Sequence, residues 1–333
     1  GENNMTRIGI IGAGGIGRKH IEALSGLDGA AITAVVDTDP AAAQRAAGSD
    51  IPVFTDLAES LPLVDAVWIC TPPSTHRSLA VSALEAGKHV YCEKPLASGM
   101  EDARAILAAA EETGKLLAVG FNMRYRRGFR RLRELIRDGT VGTPVGYWCH
   151  RIGSLGDDGY NWRTDPVLLC GMTVESLSHD IDAVRWLFGE IEEVHAILKE
   201  SRADLPGYDD NACVLMKTAG GTAATIHASW SSSLGSGSRG VVGSNGAVAM
   251  EGPDVWTVSG IRWRTKGMDH EKAELFTDTL GVESYRAAGV DFLASLKDGV
   301  PRAPTGQDGA AALSVSLAIV ESSRTGLPVR PRP

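Results

Sequence analysis

The chain has no apolar run approaching the ~18 residues of a transmembrane helix, so a membrane span is not expected. It also lacks a polybasic block: 33 lysines and arginines stand against 41 aspartates and glutamates, for a net charge of -8. Nucleic acid and anionic membranes are recognised by concentrated positive charge, and neither is expected as a partner. Cysteines are few and scattered. Cys70, Cys92, Cys149, Cys170 and Cys213 form no Cys-x-x-Cys pair. An odd count without paired spacing argues against a disulfide framework and for a reducing, cytoplasmic setting. No zinc-ligand spacing occurs, so no metal is expected and the thiols read as core side chains. The opening Gly1-Glu2-Asn3-Asn4-Met5 lacks the layout of a signal peptide and reads as a short disordered lead.

What is present suits a two-domain globular protein: 333 residues, 43% hydrophobic and 22% charged, can fill two cores. Apolar strand patterns at 7–11, 31–36, 64–70, 89–92 and 115–119 alternate with helical patterns at 15–27, 41–47, 74–86 and 100–113. That rhythm predicts a parallel sheet covered on both faces. It changes near Gly120. A basic helix at 127–137 is followed by longer strands at 144–151, 194–199, 212–218 and 222–231, with Gly220-Gly221 as a hairpin turn. The Ser/Gly-rich stretch 231–240 reads as a surface loop, and helices at 283–297 and 306–323 close the chain. The expected fold is an α/β Rossmann domain over 1–120 and an α+β domain with an open, largely antiparallel sheet over 121–333.

The first strand runs into Gly12-Ala13-Gly14-Gly15-Ile16-Gly17. In a dinucleotide site Gly12 allows the tight turn, Gly14 brings backbone to the pyrophosphate, and Gly17 lets the helix pack on the sheet. The helix start, with Gly15 and Ile16, offers N–H groups and a positive dipole end to phosphate. Asp37 follows Gly17 by 20 residues, at the end of the second strand. A carboxylate there accepts ribose hydroxyls and repels a 2′-phosphate, which favours NAD over NADP. The competing role for Asp37, capping the helix that starts at Pro40, suits Asp39 better.

Thr71-Pro72-Pro73-Ser74-Thr75-His76, Glu93-Lys94-Pro95, Val119-Gly120-Phe121-Asn122 with Arg124, Trp162-Arg163, His179-Asp180-Ile181-Asp182 and Tyr285…Phe292…Gly306-Gln307-Asp308-Gly309 follow in order. With the glycine motif, this set resembles the glucose–fructose oxidoreductase / inositol dehydrogenase / MocA family over nearly the whole length. The resemblance implies that Lys94 sits beside the nicotinamide and stabilises charge on the substrate oxygen. Glu93 would orient the lysine and the cofactor ribose, and Pro95 is often cis in such enzymes. Thr71, Pro72, Pro73, Thr75 and His76 would form the loop beside the ribose. Asn122, Trp162, Arg163 and Tyr285 carry over as cofactor-side contacts. His179 resembles the family's general acid/base, and imidazole, titrating near ~6.5, suits that work. The family's usual aspartate four residues earlier is here Glu175, which on a helix would share a face with His179 and with Asp182. Asp180 would point elsewhere, to solvent or a cap. Lys94, His179 and Glu175 are the candidate catalytic residues, and Arg124, Glu175 and Asp182, with Lys94 and His179, the candidate substrate contacts.

Taken with the residues, the resemblance implies an NAD(P)-dependent oxidoreductase, NAD preferred. It would move a hydride between nicotinamide and a secondary alcohol or ketone of a sugar, cyclitol or sugar derivative. A homodimer or homotetramer is implied as well. Two alternatives stand beside this: an NAD-dependent glycoside hydrolase or lyase using transient oxidation, and a non-catalytic nucleotide and sugar sensor.

Overall fold

The computed structural model describes residues 5–154, 162–165, 167–279 and 281–332, so most of the lead at 1–4 lies outside it. The chain divides into two compact units, Gly1–Asn122 with Gly281–Leu313, and Met123–Leu280 with Ser314–Pro333. A single cut at residue 120 assigns 281–313 to the second domain, whereas the chain here returns to the first.

In the first unit β1 (Thr6–Ile11), α1 (Gly15–Leu24), β2 (Ala30–Val36), α2 (Pro40–Ala47), β3 (Val53–Phe54) and α3 (Leu57–Ser60) come first. Then follow β4 (Ala66–Ile69), α4 (His76–Glu85), β5 (His89–Cys92), α5 (Met100–Thr113) and β6 (Leu117–Val119). The strands lie in the order β3-β2-β1-β4-β5-β6, every pair parallel. The continuous apolar strands are the consequence of helices on both faces. Ile8, Ile10, Val67, Trp68 and Ile69 are all fully buried, and Trp68 stacks on Tyr91 at 5.1 Å between ring centres. Strand order reverses between β1 and β4, so the carboxyl ends of these two strands flank the crevice where doubly wound sheets take ligands.

In the second unit α6 (Arg127–Arg137), β7 (Pro144–Ser154), α7 (Gly171–Glu175) and α8 (Ser178–Phe188) precede the strands β8 (Ile191–Lys199), β9 (Asn211–Thr218) and β10 (Ala223–Ser229). β11 (Ser231–Gly243), β12 (Gly246–Gly252), β13 (Val258–Thr265) and β14 (Lys272–Asp278) complete an eight-stranded sheet. It is antiparallel except where β10 pairs with β7. In β9, buried Ala212, Val214, Met216 and Thr218 alternate with outward residues, the signature of a sheet covered on one face. The Gly220-Gly221 hairpin is present, with Gly221 at φ +84°.

The stretch 231–240 is not a surface loop. It opens β11, which pairs with β7 on one side and β12 on the other. Its glycines serve close approach: a side chain at Gly240 would run into the Trp148 ring, and one at Gly237 into the Asp254 carbonyl. The thiols differ from expectation at one position. Cys92 and Cys149 are buried and Cys70 and Cys170 half-buried, but Cys213 faces outward on β9. The chain then enters α9 (Val282–Asp298) in the first unit and α10 (Gly306–Thr325), which contributes to both. Gly309 explains the last sequence motif, because a Cβ there would lie 2.8 Å from Val119 and 3.0 Å from Leu96. No helix among the described residues is long and apolar enough to cross a membrane.

Candidate active site

The first unit carries the turn geometry that a dinucleotide site requires. Gly12 has φ +97°, and a Cβ would sit 2.8 Å from the Cys70 carbonyl oxygen. At Gly17 a Cβ would strike the Gly12 carbonyl oxygen. Those two glycines are demanded by the fold. Gly14 and Gly15 are not: a Cβ at either meets nothing within 4 Å. Both are exposed at the start of α1, whose Gly14 N-cap has no side-chain capping bond. Bare backbone at an open helix start suits a pyrophosphate against its N–H groups. Ile16, half-buried, follows in the first turn.

Asp37 reaches back to this turn. Its Oδ2 accepts from Ala13 N at 2.7 Å and its Oδ1 from Asp39 N at 2.9 Å. Asp39, not Asp37, caps α2, accepting from Ala41 N at 2.9 Å. A carboxylate offers about four lone-pair sites, so two acceptances leave capacity for a ribose diol.

Three further segments leave the same strand ends. After β4, Thr75 Oγ1 lies 2.7 Å from Thr71 Oγ1 and 2.8 Å from the Pro72 carbonyl, which closes the Thr71–Thr75 turn. Pro72 is half-buried and Pro73 buried. His76, at the end of this loop, is fully buried. Its Nε2 lies 2.9 Å from the Thr71 carbonyl and its Nδ1 3.0 Å from the Pro95 carbonyl, so it ties the two loops together. Burial pushes its imidazole below the ordinary value, outweighing the carbonyls that favour charge. After β5 come Glu93, buried, and Lys94, half-buried, with Lys94-Pro95 cis. Glu93 Oε2 accepts from Lys94 N at 3.2 Å. After β6, Asn122 is 3% exposed, and its Oδ1 has no hydrogen-bond partner among the described residues. A buried acceptor left unpaired by the fold is what a cofactor contact requires. Tyr285 is buried on α9, edge-on to His20 at 4.9 Å.

The second unit carries the remaining ionisable candidates. Glu175 ends α7 and His179 lies in α8, so the two do not share one continuous helix. Leu177 N donates five residues back to the Met172 carbonyl at 3.0 Å, a one-residue widening between them. Glu175 Oε1 accepts from Arg163 Nη2 at 3.0 Å, and the Arg163 guanidinium lies over the Trp162 ring at 4.6 Å. The structure thus gives Arg163 a carboxylate partner within its own unit. Asp182 is paired with an arginine of the same unit. Its carboxylate is fully buried and takes a bidentate bond from Arg124, Nε to Oδ2 at 2.8 Å and Nη2 to Oδ1 at 2.6 Å. Arg124 and Asp182, both candidate substrate contacts, thereby engage each other.

Asp180 departs furthest from expectation. It is fully buried, with Arg151 Nη1 at 2.5 Å from Oδ2 and Arg239 Nε and Nη2 at 3.1 and 3.0 Å from Oδ1. Burial alone would raise its pKa, but the two guanidiniums overcome it and hold the carboxyl well below the usual range. Arg151 also donates to Ser176, by Nη1 to the carbonyl at 3.3 Å and Nη2 to Oγ at 2.9 Å. The pair therefore grips the turn between Glu175 and His179. Asp209 supports the other end of that segment, accepting from Thr173 N at 2.9 Å. Burial pushes its carboxyl up to about 6 against the pull of Thr173. Neither arginine, nor Asp209, stood in a recognisable sequence motif.

Two family models match the chain. Residues 6–121 match the Gfo/Idh/MocA oxidoreductase family, NAD-binding Rossmann fold, and residues 129–249 match the Gfo/Idh/MocA C-terminal domain. The chain belongs to this family of NAD-binding oxidoreductases. It is 35% identical to inositol 2-dehydrogenase of Rhizobium meliloti (strain 1021), over 95% of this chain and 96% of the relative. It is 29% identical to myo-inositol 2-dehydrogenase of Thermotoga maritima, over 95% and 96%. The WlbA dehydrogenase of Bordetella pertussis, solved with NADH and UDP-GlcNAcA, has the same fold, with TM-score 0.86, 23% identity and 99% of each chain covered.

Proposed function

We propose that the protein is an NAD-dependent dehydrogenase acting on a secondary alcohol of a sugar, cyclitol or sugar derivative, or on the matching ketone in reverse. One observation carries the reading. The glycine turn, the Thr71 loop, Lys94 and Asn122 all leave the carboxyl ends of the adjacent strands β1, β4, β5 and β6. A lysine that follows β5 supports this reading, since doubly wound sheets take their ligands at these strand ends. The relatives named above as inositol dehydrogenases support the substrate class.

Gly12, Gly14, Gly15 and Gly17 would hold the pyrophosphate, and Asp37 the adenosine ribose. NAD, when bound, would supply the redox chemistry as acceptor of the hydride from the carbinol carbon. Lys94 hydrogen-bonds the reacting oxygen and stabilises the negative charge that develops on it. His179 takes the hydroxyl proton during oxidation and returns it during reduction. The sum is alcohol plus NAD giving ketone, NADH and a proton. The test is a panel of sugars, cyclitols and their keto forms with NAD(H) and NADP(H). Net NADH release supports a dehydrogenase; turnover without it points to transient oxidation.

Within that panel the wild type should prefer NAD. Asp37→Ala should weaken NAD binding by a few kcal/mol at most, the scale of lost bonds to a charged group, and narrow the gap to NADP. Equal or better use of NADP by the wild type would sink the assignment.

Glu175 bears on the substrate. Its extra methylene shifts the carboxylate by roughly 1.5 Å relative to aspartate, beyond the roughly 0.5 Å tolerance of a preorganised site. Its engagement with Arg163 fits that longer reach. The wild type should therefore be poor with unmodified myo-inositol and accept a derivatised sugar or keto-sugar. Glu175→Asp should hurt the native substrate and improve cyclitol oxidation, read as kcat/KM. Myo-inositol oxidation by the wild type on a par with its best substrate would show that the glutamate carries no such meaning.

A homodimer or homotetramer belongs to this reading. Ile197 and Leu215 stand outward on β8 and β9, apolar surface that a second copy would cover. The free thiols support a cytoplasmic setting.

A further inference from the structure

α1 contributes more than its N-terminus. Three residues after Gly17 it carries His20, which is fully buried. His20 Nε2 lies 2.7 Å from Glu93 Oε1. Since a carboxylate only accepts, Nε2 is the donor. The other oxygen of Glu93 takes the Lys94 amide at 3.2 Å. Behind the carboxylate is Gly120, where a Cβ would lie 2.8 Å from both Glu93 Cδ and Oε1 and 2.9 Å from Oε2. Tyr91 and Tyr285 flank the imidazole edge-on, with centres 5.4 and 4.9 Å away. Glu93 is thus held at both oxygens and from behind. On the other side of Lys94, His76 Nδ1 meets the Pro95 carbonyl at 3.0 Å.

Burying a polar pair such as His20 and Glu93 is a poor way to gain stability, because apolar residues of similar volume would pack α1 on β5 as well. What the pair adds is direction: it fixes one rotamer of Glu93 and, through it, the backbone of Lys94. We propose that His20 is a positioning residue that locks Glu93, so that the helix cradling the pyrophosphate also sets where the Lys94 ammonium stands. The function of Lys94 rests on the reading above; its positioning by His20 is a property of the ligand-free protein.

The experiment compares His20→Leu, which keeps bulk without a donor, with His20→Gln, whose amide nitrogen can stand near Nε2. Amide hydrogen exchange at Lys94 is read in the ligand-free protein, beside NAD affinity and kcat on the best panel substrate. Expected for His20→Leu are exchange at Lys94 faster by on the order of tenfold and kcat lower by a similar factor. NAD affinity should stay within about twofold, and His20→Gln should recover most of both losses. Unchanged exchange at Lys94 in a folded His20→Leu overturns the proposal. So does a His20→Gln no better than His20→Leu, or a loss confined to NAD affinity. Should His20→Leu not fold, Glu93→Gln must show the same fast exchange, and wild-type exchange there overturns it. The exchange arm needs neither sugar nor NAD, so its failure is separate from a failure to find the substrate.

Discussion

Replacing His179 with alanine should lower kcat by on the order of 10²–10⁴-fold, the range for a lost general acid/base, with NAD affinity nearly unchanged. The split follows from where the groups reside. The glycine turn, Asp37 and the loops after β4 and β5 belong to the first unit, whereas His179 belongs to α8 in the second. Removing an imidazole from α8 leaves every residue of the cradle in place. His179 is only 7% exposed, so the cavity left by alanine also calls for a check that the variant folds. Lys94→Ala should lower kcat in the same manner, since the charge it meets develops in the transition state and not in the bound alcohol. The readout is steady-state kinetics beside NADH binding by fluorescence. Wild-type turnover in a folded His179→Ala variant would remove the residue from the mechanism.

The cradle was legible because its demands are local. Gly17 answers to a backbone collision five residues back, Gly12 to the positive φ of the turn that leaves β1, and Asp37 to the end of a strand that apolar periodicity reveals. The second unit was legible in outline only. Its strand at 231–243 looks like a loop because serine and glycine carry no apolar alternation. The reasons for those residues, the Trp148 ring and the Asp254 carbonyl, lie 92 positions before and 17 after the glycines concerned. The spacing of Glu175 and His179 suggested one helical face, but the bond from Leu177 N to the Met172 carbonyl lies beyond what a periodicity can express. Asp180 next to His179 reads as a surface charge until Arg151 and Arg239 arrive from two strands of the sheet. His20 hides for a simpler reason, since a single histidine on the inner face of a helix is no motif until Glu93 stands opposite it.

Asp180→Asn should cost about 3–5 kcal/mol of folding stability, because it leaves the buried charges of Arg151 and Arg239 without their counterion. The carboxylate is the only acid paired to these two guanidiniums among the ion pairs of the described residues. The pH dependence has a definite sign. Asp180 is held below its unfolded value of ~3.9, so its contribution is present in full above that pH and is lost as pH falls toward the folded value. The gap between wild type and Asp180→Asn, measured by urea denaturation, should be level from pH 7 to 5 and shrink below about 4. Replacing the arginines as well, in Asp180→Leu/Arg151→Met/Arg239→Met, should restore much of the stability, as apolar replacement of buried ion pairs often does. It should not restore turnover, because Arg151 also grips Ser176 in the turn between Glu175 and His179. A loss under about 1 kcal/mol in the single variant would mean that the arginines find water or another acceptor. Full turnover in the triple variant would mean that the turn holds its shape without them, and the buried network would then be a matter of folding alone.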